Sequence, residues 1–422
     1  MTDGRPTSRG RRVDSIASAA RGGYFVDVAR TAAAARRVRM RSRERPSRSG
    51  AAALLAFAMG CNAAPRTPSD DPRVRFRAAV VGAPGGAFLG VWGDARRRRA
   101  FVAGGFVGLD PARAPRGVAG RLLEYATPGR FVTRCTTDAA LWWVSGLATE
   151  PTEVWAVGDR GRIVRLRGER CEVDSVGGAF EGGAPTLWGV LVRAPDDVWV
   201  VGGSPRPDGP RGVLLHGDGS TWRQEPLPAR AARENLYKIA ADGDALVVVG
   251  SGGVILRREA GEGTWREVDS PVPAQARIFT THCDRGRCFA VGGEASGFVL
   301  AGDALAWRPW ASPGENLDAL PALNGVWARG PEDVYAVGVD GLVLHLGADG
   351  VHRPASSGTA ATLHGVGGFG EVVLAVGGEL DNASPAQRGV ILVLDEDAAD
   401  VTVDGVSYLF GGIQASRVGA GQ

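Results

Sequence analysis

The chain has 422 residues, 44% of them hydrophobic, and a net charge of only +3, too small a bias to argue for attraction to nucleic acid or to a membrane surface. No apolar run reaches the ~18 residues of a membrane-spanning helix. Of the 49 basic residues one, Lys238, is a lysine and the rest are arginine, so clusters of arginine here are weak functional signals.

In chain order, residues 1–39 form a basic leader, read either as an upstream misassignment of the start or as a disordered arginine-rich extension. Residues 40–60 have the layout of an export signal: basic RSRERPSRSG, then apolar AAALLAFAMG, then Cys61. That order resembles a bacterial lipobox, which implies lipid attachment at Cys61. Asn62 in place of an aspartate favours sorting to the outer membrane. Residues 61–73, rich in Pro, Ser and Asp, suit a flexible tether. The remainder, 74–413, is one repeat domain, followed by a short tail at 414–422.

The repeat is carried by one strand written seven times. TEVWAVG (152–158), DDVWVVG (196–202) and EDVYAVG (332–338) are near-copies, with looser versions at 100–105, 245–250, 288–293 and 373–378. Their closing glycines, Gly104, Gly158, Gly202, Gly250, Gly292, Gly338 and Gly377, lie 39 to 54 residues apart, the spacing of propeller blades. Each copy follows a short apolar piece (LGVWG, LWWVSG, LWGV, LYKIA, IFTTH, LNGVWA, LHGVGG). A glycine turn and a third strand come next, and a fourth strand is often marked by tryptophan, as in TWRQEP and TWREVD. Four strands in each of seven repeats predict an all-β, seven-bladed propeller with antiparallel blades.

Within DVWVVG, Val198 and Val200 face one way and Trp199 and Val201 the other. Both faces are apolar, so the strand is sandwiched between blades, and Trp155, Trp199 and Tyr335 are packing residues. Glu153, Asp197 and Asp333 each follow a proline by two residues and read as turn chemistry, with the carboxylate accepting backbone N–H groups. The ring can be closed by either of two segments, VRFRAAVVG (74–82) or DVTVDGVSYLF (400–410).

The frame V-W-x-V-G, then G-x-(I/V)-L, then a terminal tryptophan resembles the sialidase-type (BNR) and photosystem-assembly-factor-like propellers of exported bacterial lipoproteins. The resemblance covers about 89–398. Its Asp-box hairpins are degenerate: HGDGSTW (216–222) is one residue short and EAGEGTW (259–265) lacks the aspartate. The Gly-His and Trp-Asp pairs of WD-type repeats are missing. A fold of this kind does not define an activity.

Four cysteines remain after Cys61, an even count in an exported chain. Cys283 and Cys288 flank a short turn and are expected to form a disulfide in place of the Pro-x-acid element. Cys135 and Cys171 are the other pair. Their bridging is left open, because outer strands of neighbouring blades can stand farther apart than the ~7 Å that a disulfide tolerates between Cα atoms. No metal set, cofactor fingerprint or catalytic triad is recognised. His216 and His345 hold equivalent places in repeats three and six and cannot converge. The acidic run at 395–404 reads as a solvated turn.

Function then falls to the connections. Those between second and third strands are short in repeats two, four and six (DRG, SGG, VDG) and long at 105–117, 203–212 and 378–389. Arg113, Arg116, Arg206, Arg211 and Arg388 would make them a positive binding rim. The expectation is a non-enzymatic, lipid-anchored envelope module for binding or assembly. Its partner would be an envelope protein or glycan, with membrane contact through the anchor only. A surface glycan hydrolase of sialidase-like type and a purely structural envelope protein are the alternatives.

Overall fold

The computed structural model describes residues 76–108, 114–126, 130–149, 151–303, 305–310, 320–347, 352–354, 357–380, 387–394, 402–404 and 406–407. Cys61, Arg113 and the whole of the signal and tether lie outside them.

Seven antiparallel sheets follow one another as blades of a propeller. Their innermost strands are Ala87–Asp94, Leu141–Leu147, Thr186–Ala194, Leu236–Asp242, Ile278–Asp284, Leu323–Gly330 and Leu363–Phe369. The copied strand is the second in every blade, as the repeat requires. Its two faces serve two interfaces. Val198 and Val200 pack with Trp155 and Leu187, between blades two and three. Trp199 and Val201 pack with Leu236, Val248 and Trp265, between blades three and four. The core is thus a ring of interblade clusters. Trp155, Trp199 and Tyr335 are each at most 3% exposed, as packing residues should be.

The acids that precede these aromatics behave differently from the turn chemistry expected of them. The Trp155 and Trp199 indoles donate to Glu153 at 2.9 Å and Asp197 at 2.6 Å. The neighbouring third strand supplies a second partner: Arg165 to Glu153, the His216 ring to Asp197 and the His345 ring to Asp333, at 2.9–3.0 Å. His216 stacks on Trp199 and His345 on Tyr335. The carboxylates satisfy side chains within the blade because strand pairing already uses the local N–H groups. Turn chemistry of the expected kind occurs at Asp218 instead. It accepts the Ser220 and Thr221 N–H groups and both hydroxyls at 2.7–2.9 Å, between strands three and four of blade three.

The two segments proposed for ring closure are both used, in different ways. Arg77–Pro84 pairs antiparallel with Arg388–Leu394 and becomes the outer strand of blade seven, joining the two ends of the domain. Val80 is fully buried in the cluster between blades seven and one, and Phe76 meets Tyr335 edge-on at 6.3 Å. Thr402–Val403 instead pairs in parallel with Arg130–Thr137, on the outer edge of blade one. Asp404 fixes it there by accepting the Thr133 N–H and hydroxyl, both at 2.8 Å.

Both disulfides are formed. Cys283 and Cys288 face each other across a hairpin whose central residues, Arg285 and Gly286, lie at φ 48° and 78°. Positive φ at both positions matches the twist of the flanking strands. Cys135 and Cys171 link the outer strands of blades one and two with Cα atoms 5.9 Å apart, inside the limit that left this pair open.

Candidate binding site at the channel mouth

Every innermost strand carries the same irregularity. The pairing with strand two slips by one residue at its second or third position, between Phe88 and Gly90, Leu141 and Trp143, Leu187 and Gly189, Leu236 and Lys238, Ile278 and Thr280, Leu323 and Gly325, and Leu363 and Gly365. A bulge re-aims the side chain of its extra residue. Seven bulges repeated around a ring send seven side chains inward: Leu89, Trp142, Trp188, Tyr237, Phe279, Asn324 and His364. All seven line one cavity at the central channel, together with Lys238 and Thr280, with an empty volume of ≈ 530 Å³ that includes space open to solvent.

The cavity has a chemical polarity. Blades two to five contribute the aromatic side chains Trp142, Trp188, Tyr237 and Phe279, of which Trp188 meets Tyr237 edge-on at 5.2 Å and Tyr237 meets Phe279 at 5.7 Å. Blades six and seven contribute an amide and an imidazole. Asn324 donates through Nδ2 to the Leu363 carbonyl at 3.0 Å, and Thr280 donates its hydroxyl to the Asn324 carbonyl at 2.6 Å. The His364 ring lies 3.2 Å from the Gly378 carbonyl, and burial pushes its pKa down to about 4. At neutral pH it is an uncharged imidazole.

The cavity opens on the face of the second-to-third connections. Asp159, in the short turn of blade two, accepts the Trp142 indole N–H at 2.8 Å and the Thr186 hydroxyl at 3.1 Å. Burial raises the pKa of that carboxyl, against the pull of these two donors. The short turns repeat one geometry, with Arg160, Gly252 and Asp340 at φ 56–67°.

The long connections stand on the same face. Those of blades one and seven are joined: the Gln387 amide donates to the Val107 carbonyl and accepts its N–H, both at 3.0 Å. Arg116 and Arg388 are exposed on this pair of connections. Arg206 and Arg211 lie on the connection of blade three, so the described rim arginines occupy two separate parts of the face. Outside this face, Cys283 and Cys288 offer no thiol to a metal. Both sulfurs are bridged, and the His282 ring accepts the Ala328 N–H at 3.2 Å. Among the described residues there is no group of three or more metal-ligating side chains.

Sequence reasoning missed the mouth because it treated the first strand of each repeat as an apolar element like the others. A signal was present in the frame L-x-G, seen in LWGV, LNGV and LHGV. The residue between the fixed leucine and glycine varies, and that variable residue is the one aimed into the channel.

No protein-family model and no curated protein matches the chain. Solved structures do. YCF48 bound to a D1 peptide superposes with a TM-score of 0.55 at 14% identity, over 78% of this chain and 98% of that one. YCF48 from Cyanidioschyzon merolae gives 0.52 at 14%, over 76% and 98%. The WD40 propeller domain of Doa1 gives 0.53 at 10%, over 78% and 100%. Identities this low establish a shared propeller fold.

Proposed function

We propose that the chain is a non-enzymatic binding or assembly module of the cell envelope, held by a lipid on Cys61, which engages a partner protein through the loop-rich face at the channel mouth. The observation that carries this reading is the convergence of the seven bulge side chains on one cavity, on the face that also bears the long connections. Loops around a rigid scaffold are the usual location of recognition. A protein partner is in keeping with a fold shared with YCF48, which has been solved with a peptide bound.

The chemistry gathered at the mouth favours binding over glycan hydrolysis. A sialidase-like hydrolase works with an arginine triad, a tyrosine nucleophile and acids. The described lining offers aromatic, amide, hydroxyl, imidazole and amine groups, with neither arginine nor carboxylate.

Two experiments test the proposal. The variant W142A/F279A removes half of the aromatic lining from side chains that are only partly buried. It should stay folded, with a melting temperature lowered by loss of the Trp142 donor to Asp159, and lose crosslinked capture of its envelope partners; wild-type capture would place the binding site elsewhere. For the anchor, mass spectrometry of the mature N-terminus should find an acylated Cys61. A membrane-fraction chain beginning at Met1 would overturn the lipobox.

A further inference from the structure

Lys238 is the one lysine of the chain and is part of the lining of the channel mouth. It leaves the inner strand of blade four beside Gly189 of blade three. A Cβ at Gly189 would sit 3.1 Å from the Lys238 Cα and 2.9 Å from the Tyr237 carbonyl, so the two strands pass at backbone contact. The lysine uses that gap to reach across a whole blade. Its Nζ donates to the Trp188 carbonyl at 2.8 Å and lies 3.4 Å from the centre of the Trp143 ring in blade two. A slim ammonium on a flexible stem fits this passage, where a planar guanidinium with five donors would not be satisfied.

Lys238 as a whole residue is 7% exposed, and no carboxylate of the described residues forms an ion pair with its amine. That is an unusual place for a charge: buried ammonium groups are normally paired with an acid. Burial accordingly holds its pKa well below the ordinary lysine range. Two other polar side chains of the lining are engaged as donors to backbone, Thr280 to the Asn324 carbonyl and Asn324 to the Leu363 carbonyl. The lining therefore holds an aromatic wall, a polar wall and one amine without a counter-charge, which a carboxylate brought beside it would hold in the protonated form.

We propose that the channel mouth recognises a partner peptide by a carboxylate side chain adjacent to an aromatic or aliphatic one, the apolar group lying against Trp142, Trp188, Tyr237 and Phe279 and the carboxylate pairing with Lys238. This deepens the binding function above and rests on it. The charge-assisted bond formed beside the buried Lys238 amine is the source of discrimination between acid and amide.

The single lysine makes the test direct. In the full chain labelled with ¹³C-lysine, the side-chain ε-carbon of Lys238 gives one resonance. The probes are the capped dipeptides Ac-Trp-Glu-NH₂ and Ac-Trp-Gln-NH₂, and free indole-3-propanoate. The acid dipeptide should shift the Lys238 resonance and bind about ten-fold or more tightly than its amide twin. In K238M, which keeps the length of the side chain, that preference should vanish while the melting temperature stays within a few degrees.

Equal binding of the two dipeptides, no binding of either, an unmoved Lys238 resonance or a preference that survives in K238M would each overturn the proposal. Binding of indole-3-propanoate without the dipeptides would also overturn it, by making the ligand a free small acid. If W142A/F279A loses partner capture while Lys238 ignores the acid, the acid-reading role falls and the binding function stands.

Discussion

The two disulfides should differ in what they contribute, and the difference can be worked from their positions in the chain. Cys135 and Cys171 are 36 residues apart and Cys283 and Cys288 are 5 apart. In the chain-entropy treatment a cross-link restricts the unfolded ensemble more as the loop lengthens, giving about 4 kcal/mol for the first bridge and about 2 kcal/mol for the second. The absolute values shift with packing lost on truncation. Cys135 and Cys288 are both buried, however, at 3% and 0% exposure, so that loss is similar in the two and largely cancels in the comparison. The expected gap is (3/2)RT ln(36/5), about 1.8 kcal/mol. The perturbations are C135A/C171A and C283A/C288A, each measured by urea unfolding of the oxidised protein at pH 7. The interblade variant should have the lower midpoint, and its slope should rise as the unfolded chain expands without the cross-link. A hairpin variant as destabilised as the interblade one, or more so, would refute the reasoning and mean that native contacts, not loop closure, set the value of each bridge.

G189A should cost about 1–3 kcal/mol in thermal or chemical unfolding, because the added methyl would meet Val201 at 2.8 Å and the blade-four backbone at 2.9 Å; a neutral outcome would show that the inner strands are not in tight contact. Donors from Ser220 and Thr221 hold the Asp218 carboxyl below the usual carboxylate range. Its stabilising effect is therefore complete above about pH 4 and lost as pH falls below that, so D218N should flatten the acid limb of urea midpoints measured from pH 6 to pH 3. His282 and His364 are both pushed down to about 4 by burial. The unfolded chain takes up their protons first, so stability should decline as pH falls from about 6.5 towards 4, by up to ~3 kcal/mol for each. NMR titration of the two rings should show neutral imidazoles at pH 6.

Much of the architecture is legible in the sequence, for a physical reason. A blade is a local unit of consecutive antiparallel strands, so its order is written in the chain as strand, turn, strand. The double-sided apolar pattern of 196–202 already placed Val198 and Val200 on one interface and Trp199 and Val201 on the other. The equivalence of His216 and His345 followed from the repeat, and so did the contrast between short and long connections. Lys238 was visible only as a composition oddity, the lone lysine among arginines.

What only the tertiary structure decided are matters of long-range closure. Two terminal segments had compatible strand patterns. Arg77–Pro84 closes blade seven because Val80 and Phe76 find apolar pockets there, while Thr402–Val403 adds to blade one, where Asp404 meets Thr133. The Cys135–Cys171 pair depended on a separation between neighbouring blades that no local pattern encodes. The site depended on closure most of all. A one-residue slip in each inner strand is a local event, but seven of them become a cavity only when the ring brings residues 89 and 364 to the same axis. Lys238 becomes a buried amine only when blade two's Trp143 and blade three's Gly189 stand beside it. The repeat specifies blades one at a time, and the channel exists only in their sum.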